Sequence, residues 1–219
     1  MEIVMINITL IWQSLPALLH GTLITLKIAA YGTLIGFSLG TLLGVAQRSK
    51  NKLVRLLISL YTTIVRGTPM LFQIIIFVYI IPLPISELSA AIWAIGINSS
   101  AYICEIVRGG ILAIPKGQHE AAHVLGLSLW QTYRYIIIPQ AFRTLLPSFG
   151  NEFITLIKDS SLASIVGVME LFKEGTIVIS QHYDAISIYA IVGLIYLVLT
   201  SIVSIVINYI QSRVNHATH

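Results

Sequence analysis

From Ala185 to Ile210 the chain runs 26 residues without a charged side chain. About 20 predominantly apolar residues are what a helix needs to cross the hydrocarbon core of a bilayer. The run is not isolated. Hydrophobic residues make up 56% of the 219 residues and charged residues only 10%, against roughly a quarter charged in soluble domains. In lipid every backbone N–H and C=O must be satisfied internally, which leaves helices or closed barrels. Uncharged runs of this length are helical spans, so the chain reads as an all-α, multi-pass membrane protein.

Four more spans are expected ahead of that run. The first covers Gly21 to Ala46 and carries Gly32, Gly36, Gly40 and Gly44. A four-residue glycine period puts small residues along one face, where another helix can approach closely. The second, Leu56 to Ile81, is interrupted by Arg66-Gly67-Thr68-Pro69. A buried Arg is costly, and Gly and Pro open the helical backbone, so this break either lines a cavity or meets a partner helix. The third, Glu87 to Leu112, contains Asn98, Ser99, Tyr102, Glu105 and Arg108. Glu105 and Arg108 are three apart and can pair along the helix. The fourth starts at Pro139, bends at Pro147 and carries Glu152, Lys158 and Asp159. So many polar groups cannot all face lipid, and this span is expected to line the interior. Residues 165–184 read as a polar outer segment. Residues 6–19 are short and broken by Pro16, which suggests an amphipathic helix lying at the membrane surface.

The segments then divide as follows: 1–19 outside or interfacial, 20–212 the membrane domain, and 213–219 a cytoplasmic tail. Orientation follows from the distribution of basic residues. Arg48, Lys50, Lys52 and Arg55 crowd one loop without an acid, and Lys116, Arg134, Arg143 and Arg213 fall on the same side. That places the amino terminus outside and the carboxyl terminus in the cytoplasm. The net charge of +4 reports this asymmetry and gives no sign of nucleic-acid binding. The start, MEIVMINITL, lacks the basic region of a cleaved signal peptide. The single cysteine, Cys104, excludes an internal disulfide.

Within the loop 113–139, Glu120 to Pro139 is the longest interior stretch without membrane character. Gly126 suits the left-handed residue that ends a helix. Ser128 followed by Gln131 is a capping-box pattern, so a second short helix starts there. A capped two-helix elbow in water suggests a docking surface. The chain has no P-loop, so it does not bind ATP through one of its own. HExxH, CxxC and GxSxG are missing too, and His119 with His123 lacks a third metal ligand.

The elbow also carries a family resemblance. Glu120-Ala121-Ala122, then Gly126, Ile136, Ile138 and Pro139, resemble the EAA signature of ABC-importer permeases; the family has Leu where Ile138 stands. GTLITLKIA at 21–29, RGTP at 66–69, NSSAYICEIVRGGI at 98–111, IPQAFR at 138–143 and LIKDSSL at 156–162 resemble its polar amino-acid branch, in which Thr often replaces Ser160. The resemblance spans about residues 20–210 in order. It implies a MetI-like type I importer fold: five transmembrane helices, here with a short amphipathic N-terminal helix and a cytoplasmic coupling helix. It implies a bacterial inner-membrane permease subunit, working with a second permease subunit, a pair of cytoplasmic ATPase subunits and an extracytoplasmic solute-binding protein. ATP and Mg would sit on the ATPase, with no cofactor on this chain, which would not itself be an enzyme.

On that reading Glu120, Ala121, Ala122 and Gly126 form the ATPase contact. Arg66, Asn98, Ser99, Tyr102, Glu105, Glu152, Lys158 and Asp159 are candidates for the solute path. Arginine, histidine, lysine and glutamine are the substrates considered. A partner subunit that binds no solute, an ion-channel subunit and an intramembrane enzyme are the other readings. The capped elbow argues against a channel, and the lack of a nucleophile–base pair or metal set argues against an enzyme.

Overall fold

The computed structural model describes residues 6–82 and 84–216. Glu2, Leu83 and the last three residues of the expected tail lie outside the described residues. The helices are α1 (Ile8–Ala46), α2 (Lys52–Gly67), α3 (Met70–Ile75), α4 (Glu87–Ala113), α5 (Lys116–Val124), α6 (Leu129–Thr132), α7 (Ile138–Asp159), α8 (Leu171–His182) and α9 (Ala185–His216). Among the described residues there is no strand.

The expected separate N-terminal helix is not a separate element. Residues 8–46 form one helix of 39 residues that passes through Pro16, about 58 Å long and therefore longer than a bilayer core. Packing overrides the proline. Leu10 and Leu18 are buried against Leu171 of α8 and Ile188 and Val192 of α9. Asn7 caps the helix through Leu10 N, and its own N–H donates to Ser187 Oγ at 2.9 Å. The terminal segment is thus tied into the bundle, not laid on a surface.

The glycine stripe does what its spacing predicts. Gly32, Gly36, Gly40 and Gly44 are all buried, and α4 is the helix that closes on them. At Gly36 an added Cβ would stand 2.6 Å from Ser99 Oγ, and at Gly40 it would stand 2.6 Å from Ser100 O. Only a hydrogen fits, so α1 fixes the height and rotation of α4 and hence of Asn98, Ser99 and Tyr102.

The break in the second span is sharp. α2 and the helical stretch Met70–Ile80 meet at 102°. Three helices, α1, α4 and α9, are long and apolar enough to cross a membrane, or four if the bent pair counts as one span. α7 has 22 residues, which is enough length, but its polar residues set it apart from those three.

α7 starts at Ile138 with Pro139 in its first turn, as expected, but the helix does not start afresh there. A π-helical turn over Tyr133–Ile137 joins α6 to α7, with Ile138 N–H reaching back to Tyr133 O, so the helical run is unbroken from Leu129 to Asp159. The wider turn accommodates the proline, which lacks an N–H and crowds the preceding carbonyls. The polar stretch 165–184 is also more ordered than its composition suggests, since most of it is the helix α8.

Candidate functional site

The break at Thr68-Pro69 is built, not merely tolerated. Pro69 has no N–H for Val65 O, four residues back. The side chain of Gln73 supplies the missing donor, with Nε2 at 2.7 Å from Val65 O and 2.8 Å from Thr68 Oγ1. Its Oε1 accepts from Asn98 Nδ2 at 3.1 Å. Gln73 therefore closes the opened backbone and ties it to α4. Sequence reading missed this residue. Its signal is the position four residues after a proline in an apolar run, where a side-chain amide can replace the lost backbone donor.

A cavity of about 530 Å³ opens between this break, α4 and α7. Arg66 and Thr68 line it from the break, Asn98 and Tyr102 from α4, and Glu152, Thr155 and Asp159 from α7. Glu152 and Asp159 are seven apart, two turns along one face. Five of the eight expected path residues, Arg66, Asn98, Tyr102, Glu152 and Asp159, are thus brought to one space. The Arg66 guanidinium lies over the Tyr102 ring, 5.2 Å from its centroid. Glu152 Oε1 accepts from Ser99 Oγ at 2.7 Å.

The other three stand elsewhere. Ser99 is buried, wedged between Gly36 and Glu152, and orients the carboxylate from behind. Glu105 accepts from Arg108 Nη2 at 2.6 Å and Nε at 2.9 Å, as their spacing predicts. That pair lines a second space of about 590 Å³. Arg66 and Gly67 border both spaces, so the break stands between them. Lys158 is exposed and lies outside the cavity lining. Its neighbour Asp159 lines the space alone because adjacent helical residues point about 100° apart.

A fully buried carboxylate was not expected at all. Glu170, filed by composition with the polar outer segment, is 0% exposed. It caps α8, accepting from Lys173 N at 2.8 Å and Phe172 N at 2.9 Å. Tyr196 OH of α9 and Thr25 Oγ1 of α1 also donate to it, at 2.9 and 3.4 Å. No local sequence pattern announces this, because two of the partners lie on helices distant in sequence.

The elbow forms as its local signals predict. Gly126 is left-handed (φ +72°), Leu127 N–H donates to Ala122 O and Gly126 N–H to His123 O, which is a Schellman closure. Both halves of the Ser128/Gln131 capping box are present. Ala122 is buried and Ala121 exposed. Glu120 is exposed on α5. Beside it Val124 and Leu125 are 85% and 75% exposed, and Leu129 and Trp130 are exposed too. Tyr133 instead packs inward, edge to face with His119. Among the described residues no group of three metal-ligating side chains converges.

Residues 32–216 match the family model described as "binding-protein-dependent transport system inner membrane component". The glutamine transport system permease protein GlnP of Escherichia coli (strain K12) is 36% identical over 208 residues, 93% of this chain and 95% of that protein. The probable amino-acid ABC transporter permease protein YckA of Bacillus subtilis (strain 168) is 36% identical over 213 residues, 96% of this chain and 94% of that protein. A crystal structure of an amino acid ABC transporter with histidines superimposes with a TM-score of 0.89 at 33% identity, over 95% of this chain and 99% of that one. The MetNI methionine ABC transporter, in an inward-facing conformation, shares the fold with a TM-score of 0.72 at 23% identity, over 93% of this chain and 94% of that one. On this match and these relatives, the chain belongs to the family of inner-membrane permease components of binding-protein-dependent ABC transport systems.

Proposed function

We propose that this chain forms the translocation path of an ATP-driven importer for a polar or basic amino acid. The observation that carries this reading is the cavity between the 102° break, α4 and α7, where charges of both signs face one space. An amino acid presents a carboxylate and an ammonium at fixed separation. Arg66 is placed to meet the first, and Glu152 or Asp159 the second. Two carboxylates against one guanidinium leave one negative charge over, which favours a solute with a further cation or a strong donor: arginine, histidine, lysine or glutamine. The glutamine permeases among the relatives and the neighbour crystallised with histidines support that range.

Energy comes from a separate ATPase, seated on the elbow. The exposed apolar group around Val124, Leu125 and Trp130, beside the Glu120 carboxylate, suits a groove with an apolar floor and a basic rim. Closure of an ATPase dimer would carry α5, and the continuous helical run Leu129–Asp159 would transmit the motion to Glu152 and Asp159. The bundle then has two arrangements, biased by nucleotide through one contact. A second permease subunit, identical or related, completes the path, and an extracytoplasmic binding protein delivers the solute. Five spans, with the amino terminus outside and the elbow in the cytoplasm, fit the concentration of basic residues at one end.

The elbow reading is tested with Glu120→Lys. The variant is expected to insert and fold normally, yet lose co-purification with the ATPase or uncouple hydrolysis from uptake. Uptake at the parent rate would sink it. Competition between labelled arginine, histidine, lysine and glutamine for uptake by the reconstituted complex then ranks the solutes.

A further inference from the structure

The seam between α7 and α9 shares no lining residue with the cavity between the break, α4 and α7. At the basic end of the bundle, Arg143 of α7 and Arg213 of α9 face one cleft of about 340 Å³, with Tyr209, Ile210 and Val214. Arg213 lies over the Tyr209 ring and donates to its hydroxyl, from Nη2 at 3.0 Å and Nε at 3.2 Å. Among the described residues neither arginine has a carboxylate partner. Two guanidiniums at the mouth of one cleft repel each other and call for an anion.

Immediately along the same seam lies an apolar groove of about 350 Å³, whose walls include Leu146, Phe149 and Phe153 of α7 and Val203 and Ile207 of α9. From Arg143 to Phe153 the helix rises about 15 Å, half the thickness of a ~30 Å hydrocarbon core. The dimensions are those of one leaflet. With the arginines at headgroup height, the groove would run at the depth of an acyl chain.

We propose that the α7–α9 seam binds one anionic phospholipid, with its phosphate between Arg143 and Arg213 and one acyl chain in the groove. Charge complementarity selects the headgroup, because a zwitterionic lipid returns a cation to the same cleft. The apolar groove selects a lipid over a free anion. α7 also carries Glu152 and Asp159, so a bound lipid would brace the helix that lines the cavity.

The test is native mass spectrometry of the full-length chain extracted from vesicles of roughly equimolar phosphatidylglycerol and phosphatidylcholine. The parent is expected to retain phosphatidylglycerol in preference. The preference should fall about five-fold for each arginine removed in Arg143→Gln, Arg213→Gln and the double variant. Leu146→Trp, which fills the groove and keeps both charges, should lower retention of either lipid. Arg48→Gln with Lys50→Gln, on the exposed loop, should leave the preference in place. Equal retention of both lipids by the parent would overturn the proposal, as would the same loss from the loop variant. Inorganic phosphate at millimolar level displacing the lipid fully would mean an anion cleft without a lipid site. Loss of dimer with unchanged lipid retention in the double arginine variant would make the seam an interface between two copies. An unchanged thermal unfolding midpoint in each variant separates these outcomes from misfolding.

Discussion

Glu152 and Glu170 are both carboxylates inside a membrane protein, and their surroundings assign them opposite tasks. Glu170 is fully enclosed and accepts from two backbone N–H groups and two hydroxyls. Every partner donates, and each oxygen has work within the fold. Glu152 accepts from Ser99 alone among the described residues, and it borders a cavity of about 530 Å³. Its remaining lone pairs are free for something that enters. A buried acid with a full set of donors is a structural joint, here between α1, α8 and α9. A half-buried acid with one donor and an open side is available for a ligand.

The largest expected effect is at the joint. Glu170→Ala removes the cap of α8, worth about 1–2 kcal/mol, and strands the hydroxyls of half-buried Tyr196 and buried Thr25 at about 1–3 kcal/mol each. A fall in thermal midpoint of several degrees or more, or failure to accumulate, is expected for the detergent-purified chain. A midpoint within a degree of the parent would erase the distinction between the two carboxylates.

Gln73→Leu should cost less, about 1–3 kcal/mol, because it leaves Val65 O and Asn98 Nδ2 without the partner they now share. Unlike Glu170→Ala, it should also slow uptake in proportion beyond its effect on stability, since Asn98 and the break both wall the cavity. Measuring uptake per folded molecule checks this.

The smallest effect lies at the start of α9, where a half-exposed acid does capping work. Asp184 accepts from Ser187 N at 3.0 Å, and hydrogen bonding from the Ser187 backbone, then its side chain, holds the Asp184 carboxyl below its ordinary value. A folded pKa below the unfolded one gives stability that is present above about pH 4 and lost as pH falls through the folded value. The thermal midpoint of the parent should therefore decline slightly on acidification below about pH 4, and Asp184→Asn should remove that component. An identical pH profile in both proteins would show that the cap contributes nothing.

What could be read from sequence divides along the same line as the two carboxylates. The elbow was legible because its stops and starts are local: Gly126 and the Ser128/Gln131 box act within a few residues. The glycine period on α1 was legible because four-residue spacing leaves one partner-facing stripe. The cavity lining was legible where an ionisable group in an apolar run has few alternatives, as at Arg66, Glu152 and Asp159. What stayed hidden depends on distant partners. Pro16 reads as a helix break until α8 and α9 hold Leu10 and Leu18 in place. Glu170 reads as a solvated residue until Thr25 and Tyr196 close over it. Gln73 sits in between, since its role follows from Pro69 but its second bond needs α4. Lys158 and Asp159 part company for a related reason, since sequence adjacency does not say which of two neighbours faces the cavity.

The most direct measurement sets the two carboxylates side by side. Glu152→Gln and Glu170→Gln each exchange one oxygen for an NH₂ group, and both are compared with the parent for thermal midpoint and for uptake of labelled arginine and glutamine by the reconstituted complex. Glu152→Gln is expected to keep the midpoint and lose uptake, more for arginine than for glutamine. Glu170→Gln is expected to lower the midpoint, with the uptake of the surviving folded protein unselective between the two solutes. Equal losses for arginine and glutamine in Glu152→Gln, accompanied by a midpoint as low as that of Glu170→Gln, would make Glu152 a second structural joint and contradict the account.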